Sequence, residues 1–222
     1  MKHIKYMRLR ISRDCIVSVS VPFRASHAVV ERFIESKKVW IEKHLKKLEI
    51  KRSYNYPERL ENGGSIRLLG RQYSVELAAS LIDDIFIQDF KLMIFSRKYQ
   101  DLLYVQKQYK EFFQQGAQAE FKEAIDEFYP IFAKYNIKYP LLKFKTMKTM
   151  WGNCNIGKGV IAFNYNLYKS SKDCIKYVAL HELTHLMFKN HNADFYNFIE
   201  TQMPDWKLYK KKLNFETMEL IF

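Results

Sequence analysis

Residues 181–191 read His181-Glu182-Leu183-Thr184-His185-Leu186-Met187-Phe188-Lys189-Asn190-His191. On a helix, positions four apart share a face with Cβ atoms about 5–6 Å apart. The imidazoles of His181 and His185 can therefore hold one ion at Zn–N distances of about 2.0–2.1 Å. Glu182 then stands beside the ion without ligating it, where a carboxylate can take a proton from an activated water. His191 tests this reading. On an unbroken helix it would sit about 240° round from His185 and about 9 Å further along the axis, so the helix must stop between Leu186 and Asn190. Asn190 is the expected stop, because Asn readily takes the left-handed conformation past a helix end. Glu200 is the alternative third ligand, and Asp194 and Glu200 are candidates to orient the imidazoles. The competing reading is a helical histidine pair with an acidic neighbour and no ion.

Working outward, the metal helix is expected to begin near Ser171 or Asp173 and to bury Ile175, Val178, Ala179, Leu183 and Leu186. A strand region precedes it: 143–147, then Trp151-Gly152-Asn153-Cys154, a Gly157-Lys158-Gly159 turn and 160–167. In the last segment Ile161, Phe163, Tyr165 and Leu167 alternate with Ala162, Asn164 and Asn166. Such a strand beside a metal helix can pair with an extended peptide substrate, which makes Trp151 and Asn164 candidate substrate contacts. An ordinary half-buried strand gives the same pattern. Beyond His191, residues 193–202 read as a short helix with Phe195, Phe198 and Ile199 inward, and Pro204 opens a last helical turn or two.

Residues 4–22 read as a β-hairpin turning at Ser12-Arg13-Asp14. A single helix capped by Ser26 follows, with Val30, Phe33, Ile34, Trp40, Ile41, Leu45 and Leu48 on one stripe and His44 as a packed or rim residue. Two further hairpins are expected, 66–69 with 72–77 and 85–87 with 90–95. From 99 to 135 the pattern is helical, with Gly116 and Pro130 as points of weakness. The expected architecture is α+β: a small β-rich N-terminal region with one helix, residues 1–97, followed by a metal-binding α+β domain, residues 98–222.

The 222 residues carry 37 Lys/Arg against 24 Asp/Glu, a net charge of +13. The excess is concentrated in residues 1–60, where 15 basic residues face 6 acidic ones. Such a surface can attract nucleic acid, although a solvated Lys-rich helix accounts for it as well and no base-reading motif accompanies it. An apolar content of 48% argues against disorder. No apolar run reaches membrane-spanning length and no secretory h-region is apparent, so no membrane partner and a cytoplasmic setting are expected. Three scattered cysteines, Cys15, Cys154 and Cys174, agree with a reducing compartment.

The sequence resembles the YgjP-like metallopeptidase family and, more distantly, the SprT-like and WLM proteases of the zincin group. The resemblance is carried by the opening hairpin and Trp40-Ile41 helix, Leu69-Gly70-Arg71-Gln72-Tyr73, Trp151-Gly152-Asn153-Cys154, Asn164, Tyr177-Val178, the 181–186 motif, Asn190-His191 and Phe195. It implies a zincin-like C-terminal domain with Zn²⁺ held by His181, His185 and His191, Glu182 as general base, and a protein or peptide as substrate. The chain departs from the family pattern at Met150, Asn153, Tyr196 and Lys169-Ser170-Ser171-Lys172, none of them a ligand. Two other classes stand beside this one. One is a SprT-like protease acting on proteins bound to nucleic acid. The other is a non-enzymatic basic binding module with a structural zinc.

Overall fold

The computed structural model describes residues 6–12, 15–54 and 58–220, with the side chains of 47–54 and 215–220 excepted. By internal contacts the chain divides into two units, Met1–Tyr56 and Pro57–Phe222.

In the first unit β1 (Arg8–Ile11) pairs antiparallel with β2 (Val17–Ser20), placing Leu9 opposite Val19 and Ile11 opposite Val17. This follows from the period-two alternation; Arg13 and Asp14 of the expected turn lie outside the described residues. The single expected helix is two helices, α1 (His27–Ser36) and α2 (Lys38–Tyr54). The break has a local cause. The Ser36 hydroxyl donates to the Phe33 carbonyl at 2.7 Å, and the Lys37 N–H, which would use that acceptor in a continuous helix, bonds instead to Ile34. His44 is occupied within its helix, its Nδ1 2.8 Å from the Trp40 carbonyl and its ring stacked on Trp40 at 3.9 Å. Leu48 of the expected stripe belongs to the side chains not described.

The second unit opens with a four-stranded sheet: β3 (Ser65–Leu68), β4 (Arg71–Ala79), β5 (Asp84–Gln88) and β6 (Lys91–Ser96), in the order β3-β4-β6-β5. Both expected hairpins form, and they join through a parallel pairing of β4 with β6. Alternation within a strand says which face is apolar but not which strand lies alongside. The turn between β3 and β4 has Leu69 and Gly70 both at positive φ, 50° and 76°, the primed geometry that suits a two-residue hairpin loop. Its two N–H groups donate to the carbonyls of Tyr168 and Lys169 at 2.8 and 3.0 Å, and a Cβ on Gly70 would come within 3.1 Å of Ser171. The sheet is thereby fastened to the start of the metal helix. Its inward residues Leu68, Val75, Leu92 and Ile94 share one core with Phe121, Ile125 and Ile175. The expected boundary at residue 97 therefore falls inside this unit.

The long helix α3 (Leu102–Ala133) is capped by Asp101, whose side chain accepts from the Tyr104 N–H at 3.2 Å. It runs through both Gly116 and Pro130, burying Ala117, Phe121, Ala124, Ile125, Phe128 and Phe132 at three- and four-residue spacing. A second sheet follows, β7 (Leu141–Lys145), β8 (Gly152–Asn155) and β9 (Val160–Asn164), with β9 in the middle. The strand expected over 160–167 ends at Asn164, because the Asn164 side-chain oxygen accepts from the Asn166 N–H at 3.1 Å. That local bond turns the chain into a 3₁₀ segment, Tyr165–Lys169. Then come α4 (Lys172–Thr184), α5 (Ala193–Gln202) and α6 (Trp206–Leu220), the last longer than the turn or two expected. No helix among the described residues is long and apolar enough to cross a membrane.

Candidate metal centre

Helix α4 buries Cys174, Ile175, Tyr177, Val178, Ala179, Leu180, Leu183 and Thr184, so its position is fixed on nearly all sides. It ends at His185, earlier than expected. The Thr184 hydroxyl donates back to the Leu180 carbonyl at 2.7 Å, and the next N–H groups tighten into a final turn, Leu186 to Leu183 at 2.9 Å and Met187 to Thr184 at 3.0 Å. Asn190 does not adopt the left-handed conformation; the chain reverses through 185–190 without it. Asn192 then caps α5 by accepting from the Phe195 N–H at 3.1 Å.

This reversal brings His191 to the other two histidines. The Nε2 atoms of His181 and His191 are 3.0 Å apart, and one nitrogen from each of His181, His185 and His191 falls within a 4.8 Å span. No other metal-capable group of three or more His, Cys, Asp or Glu occurs among the described residues. Phe195, fully buried, lies under all three imidazoles with ring centroids 5.0, 4.7 and 4.7 Å away. His185 Nδ1–H donates to the Phe188 carbonyl at 3.2 Å, which leaves its Nε2 lone pair for a ligand. His181 Nδ1 is buried with no partner.

The orienting carboxylates expected at Asp194 and Glu200 are not used in this way. Asp194 faces Asn192 at 3.5 Å, and Glu200 forms an ion pair with Lys207 at 3.0 Å. A backbone carbonyl orients His185 instead.

The donor set fits a zinc-type ion. Two imidazole nitrogens on a tetrahedral ion at about 2.05 Å stand about 3.3 Å apart, so the 3.0 Å pair needs to open by a few tenths of an ångström. Electrostatics agree with neutral ligands. Burial first, then His185, His191 and Lys210, holds the pKa of His181 down to about 3. Burial, His185 and Lys210 lower that of His191.

Glu182 is 5% exposed, and burial lifts its carboxyl to about 8. Strand β8 passes directly over it, so that a Cβ on Gly152 would lie 2.7 Å from Glu182 Oε1. A buried carboxyl with raised proton affinity beside a histidine cluster is a group that perturbed titration marks out as a functional candidate.

Trp151 and Asn164 have different surroundings. Trp151 lines a cavity together with His181 and Glu182. Asn164 is 4% exposed, and its amide is spent on the loop before β8, donating to the carbonyls of Met147 and Met150 at 2.8 Å each. It shapes the approach to Trp151 and offers no free arm to a substrate. Gly152 and Phe195 were both visible in the sequence, but nothing local marked one as lying against the carboxylate or the other as the floor of the cluster.

A family model described as YgjP-like, metallopeptidase domain, matches residues 5–216. Among solved structures, the chain is similar to the crystal structure of the metallopeptidase zymogen of Methanocaldococcus jannaschii jannalysin, at 21% identity over 42% of this chain and 92% of that one, with a TM-score of 0.36. No curated protein matches.

Proposed function

The chain belongs to the YgjP-like metallopeptidase family, and from that premise we propose that it is a zinc-dependent peptidase with Glu182 as its general base. The observation that carries the reading is the convergence of His181, His185 and His191 beside a buried glutamate. Zinc, when bound, supplies a Lewis acid that brings the pKa of a water towards about 7 and polarises the peptide carbonyl. His181, His185 and His191 hold it, and Phe195 and the Phe188 carbonyl keep their rings in place. Glu182 takes the proton of the attacking water on its carboxylate and passes it to the leaving amine. A base so placed contributes typically about 10²–10⁴-fold.

A substrate strand has one edge to join near Glu182. The strand expected to pair with substrate, β9, is the middle strand with both edges taken by β7 and β8, so the proposed pairing is with the outer edge of β8, the strand whose Gly152 packs on Glu182. The proposed setting is cytoplasmic, supported by three free cysteines. The basic first sixty residues are proposed as a nucleic-acid contact, for which salt-sensitive stimulation of cleavage by DNA is the expected sign.

The test combines metal content with turnover. The parent is expected to carry one zinc per chain and to cleave an unfolded protein. Glu182→Gln should keep the metal and lose at least about 10²-fold in rate, and His191→Ala should lose the metal. Zinc binding with full function in Glu182→Gln would mark the site as structural.

A further inference from the structure

Beside the histidine cluster lies an open cavity of about 220 Å³ bordered by α4, α6 and the approach to β8. His181, Glu182, Trp151, Val178 and Leu213 line it, and Lys210 brings a charge. We infer that this cavity is a recognition pocket for a carboxylate carried by the substrate next to the scissile bond, and that Lys210 is the residue that selects it. The inference rests on the peptidase reading above.

The setting of Lys210 is the argument. Its Nζ is 3.2 Å from the Tyr196 hydroxyl and lies 4.8 and 5.3 Å from the ring centroids of Tyr196 and Trp206, which are stacked on each other at 4.9 Å. Two aromatic faces and a phenol thus hold a half-buried ammonium in place. Among the described residues no carboxylate pairs with it, whereas Lys207, one turn earlier, is paired with Glu200 at 3.0 Å.

A fixed cation beside a site built for another cation is unfavourable by Coulomb's law until an anion lies between them. No such anion is supplied by a carboxylate paired with Lys210 among the described residues, and the open space that Lys210 lines together with His181 and Glu182 is where one would sit. The cavity's chemistry defines that group. Trp151, Val178 and Leu213 suit an apolar stem, and Lys210 suits a charged end, the combination found in an acidic side chain or in the terminal residue of a peptide with a free carboxylate.

The test measures binding separately from turnover. Zinc-loaded Glu182→Gln protein is titrated, by tryptophan fluorescence, with five-residue alanine peptides carrying Glu, Gln or Lys at the centre and capped at both ends. A neutral peptide with a free C-terminus forms a second arm. We expect the Glu peptide, the free-end peptide or both to bind at least about 10-fold more tightly than the capped Gln peptide. Which arm responds identifies the source of the carboxylate. Adding Lys210→Met should abolish the preference, Lys210→Arg should retain it, and Lys210→Glu should shift it to the Lys peptide, a gain that a misfolded variant cannot produce. Equal binding of all peptides, or a preference that survives Lys210→Met, overturns the inference.

Turnover of a mixed peptide library distinguishes the remaining role. If Lys210→Met in the otherwise unaltered enzyme slows acidic and neutral sites alike through kcat, Lys210 serves the developing oxyanion and the pocket assignment fails. Selective binding with no cleavage of any peptide by the parent would instead remove the peptidase reading and leave the carboxylate pocket standing.

Discussion

Gly152 has no side chain at a place where a methyl group would meet the Glu182 carboxylate. A Cβ there would lie 2.7 Å from Glu182 Oε1 and 2.8 Å from its Cγ. The atoms that must give way are at the end of a side chain, not in the backbone, so the fold can absorb an alanine by moving the carboxylate. Displacements of about 1 Å at a reacting group cost about 10²-fold. Gly152→Ala is therefore expected to keep its circular dichroism spectrum and its zinc content while losing about 10²-fold in kcat; an unaltered kcat would show that the carboxylate has room to spare. At this scale the sequence was readable where chemistry has a spacing rule. His181 and His185 are one helical turn apart and Glu182 is placed by the same rule, whereas the Asn164 amide and the Lys210 ammonium acquire their roles from segments many residues away.

Among the elements, α3 is the one whose internal glycine has a packing reason. Helix propensity makes Gly116 a weak point, yet the helix is continuous there. A Cβ at 116 would lie 2.5 Å from the Tyr168 hydroxyl and 2.9 Å from the adjacent ring carbon, and Tyr168 is 6% exposed and set edge-on to Phe113 at 5.3 Å. Two effects oppose each other in Gly116→Ala. Helix propensity favours alanine by about 1 kcal/mol, and overpacking a filled site costs typically about 1–3 kcal/mol. A rigid buried ring cannot swing aside as a carboxylate can, so overpacking should win. The variant is expected to be less stable than the parent by about 1 kcal/mol in urea unfolding; a stabilised variant would show that Tyr168 can retreat. The limits of α5 were readable because an apolar stripe and a following proline coincide. The division of α1 from α2 was not, because it depends on which of two donors reaches the Phe33 carbonyl.

For the molecule as a whole, one contribution to acid tolerance comes from a clamp between the strands and the long helix. Asp83 accepts from the Arg97 side chain and backbone at 2.9 Å each and from the Tyr104 hydroxyl at 2.6 Å. Hydrogen bonding from the Arg97 side chain, then from its backbone and from Tyr104, holds the Asp83 carboxyl down to about 2. An unfolded aspartate titrates near 3.9, so this contribution is complete above a pH of about 4 and is lost as the pH falls towards about 2. The thermal midpoint of the parent should decline across that window, and the difference between the parent and Asp83→Asn should narrow with it. A constant difference would place the acid sensitivity elsewhere. The α+β class and the order of elements were legible from periodicity, but the parallel joining of β4 to β6 and the merging of that sheet into the peptidase core were not. Both depend on contacts that no local pattern encodes.

The Leu69-Gly70 turn has a consequence in the timing of synthesis. Its two N–H groups find their acceptors at Tyr168 and Lys169, about a hundred positions later in the chain, and at about 5–20 residues per second a ribosome takes on the order of 5–20 s to deliver them. Over that interval Leu69 has no Tyr168 carbonyl to hold it in a left-handed conformation that disfavours a leucine by about 1–2 kcal/mol. The sheet that is made first waits for the 3₁₀ segment that leads into the helix carrying the histidines, and the late arrival of that segment is what gives the turn its final shape.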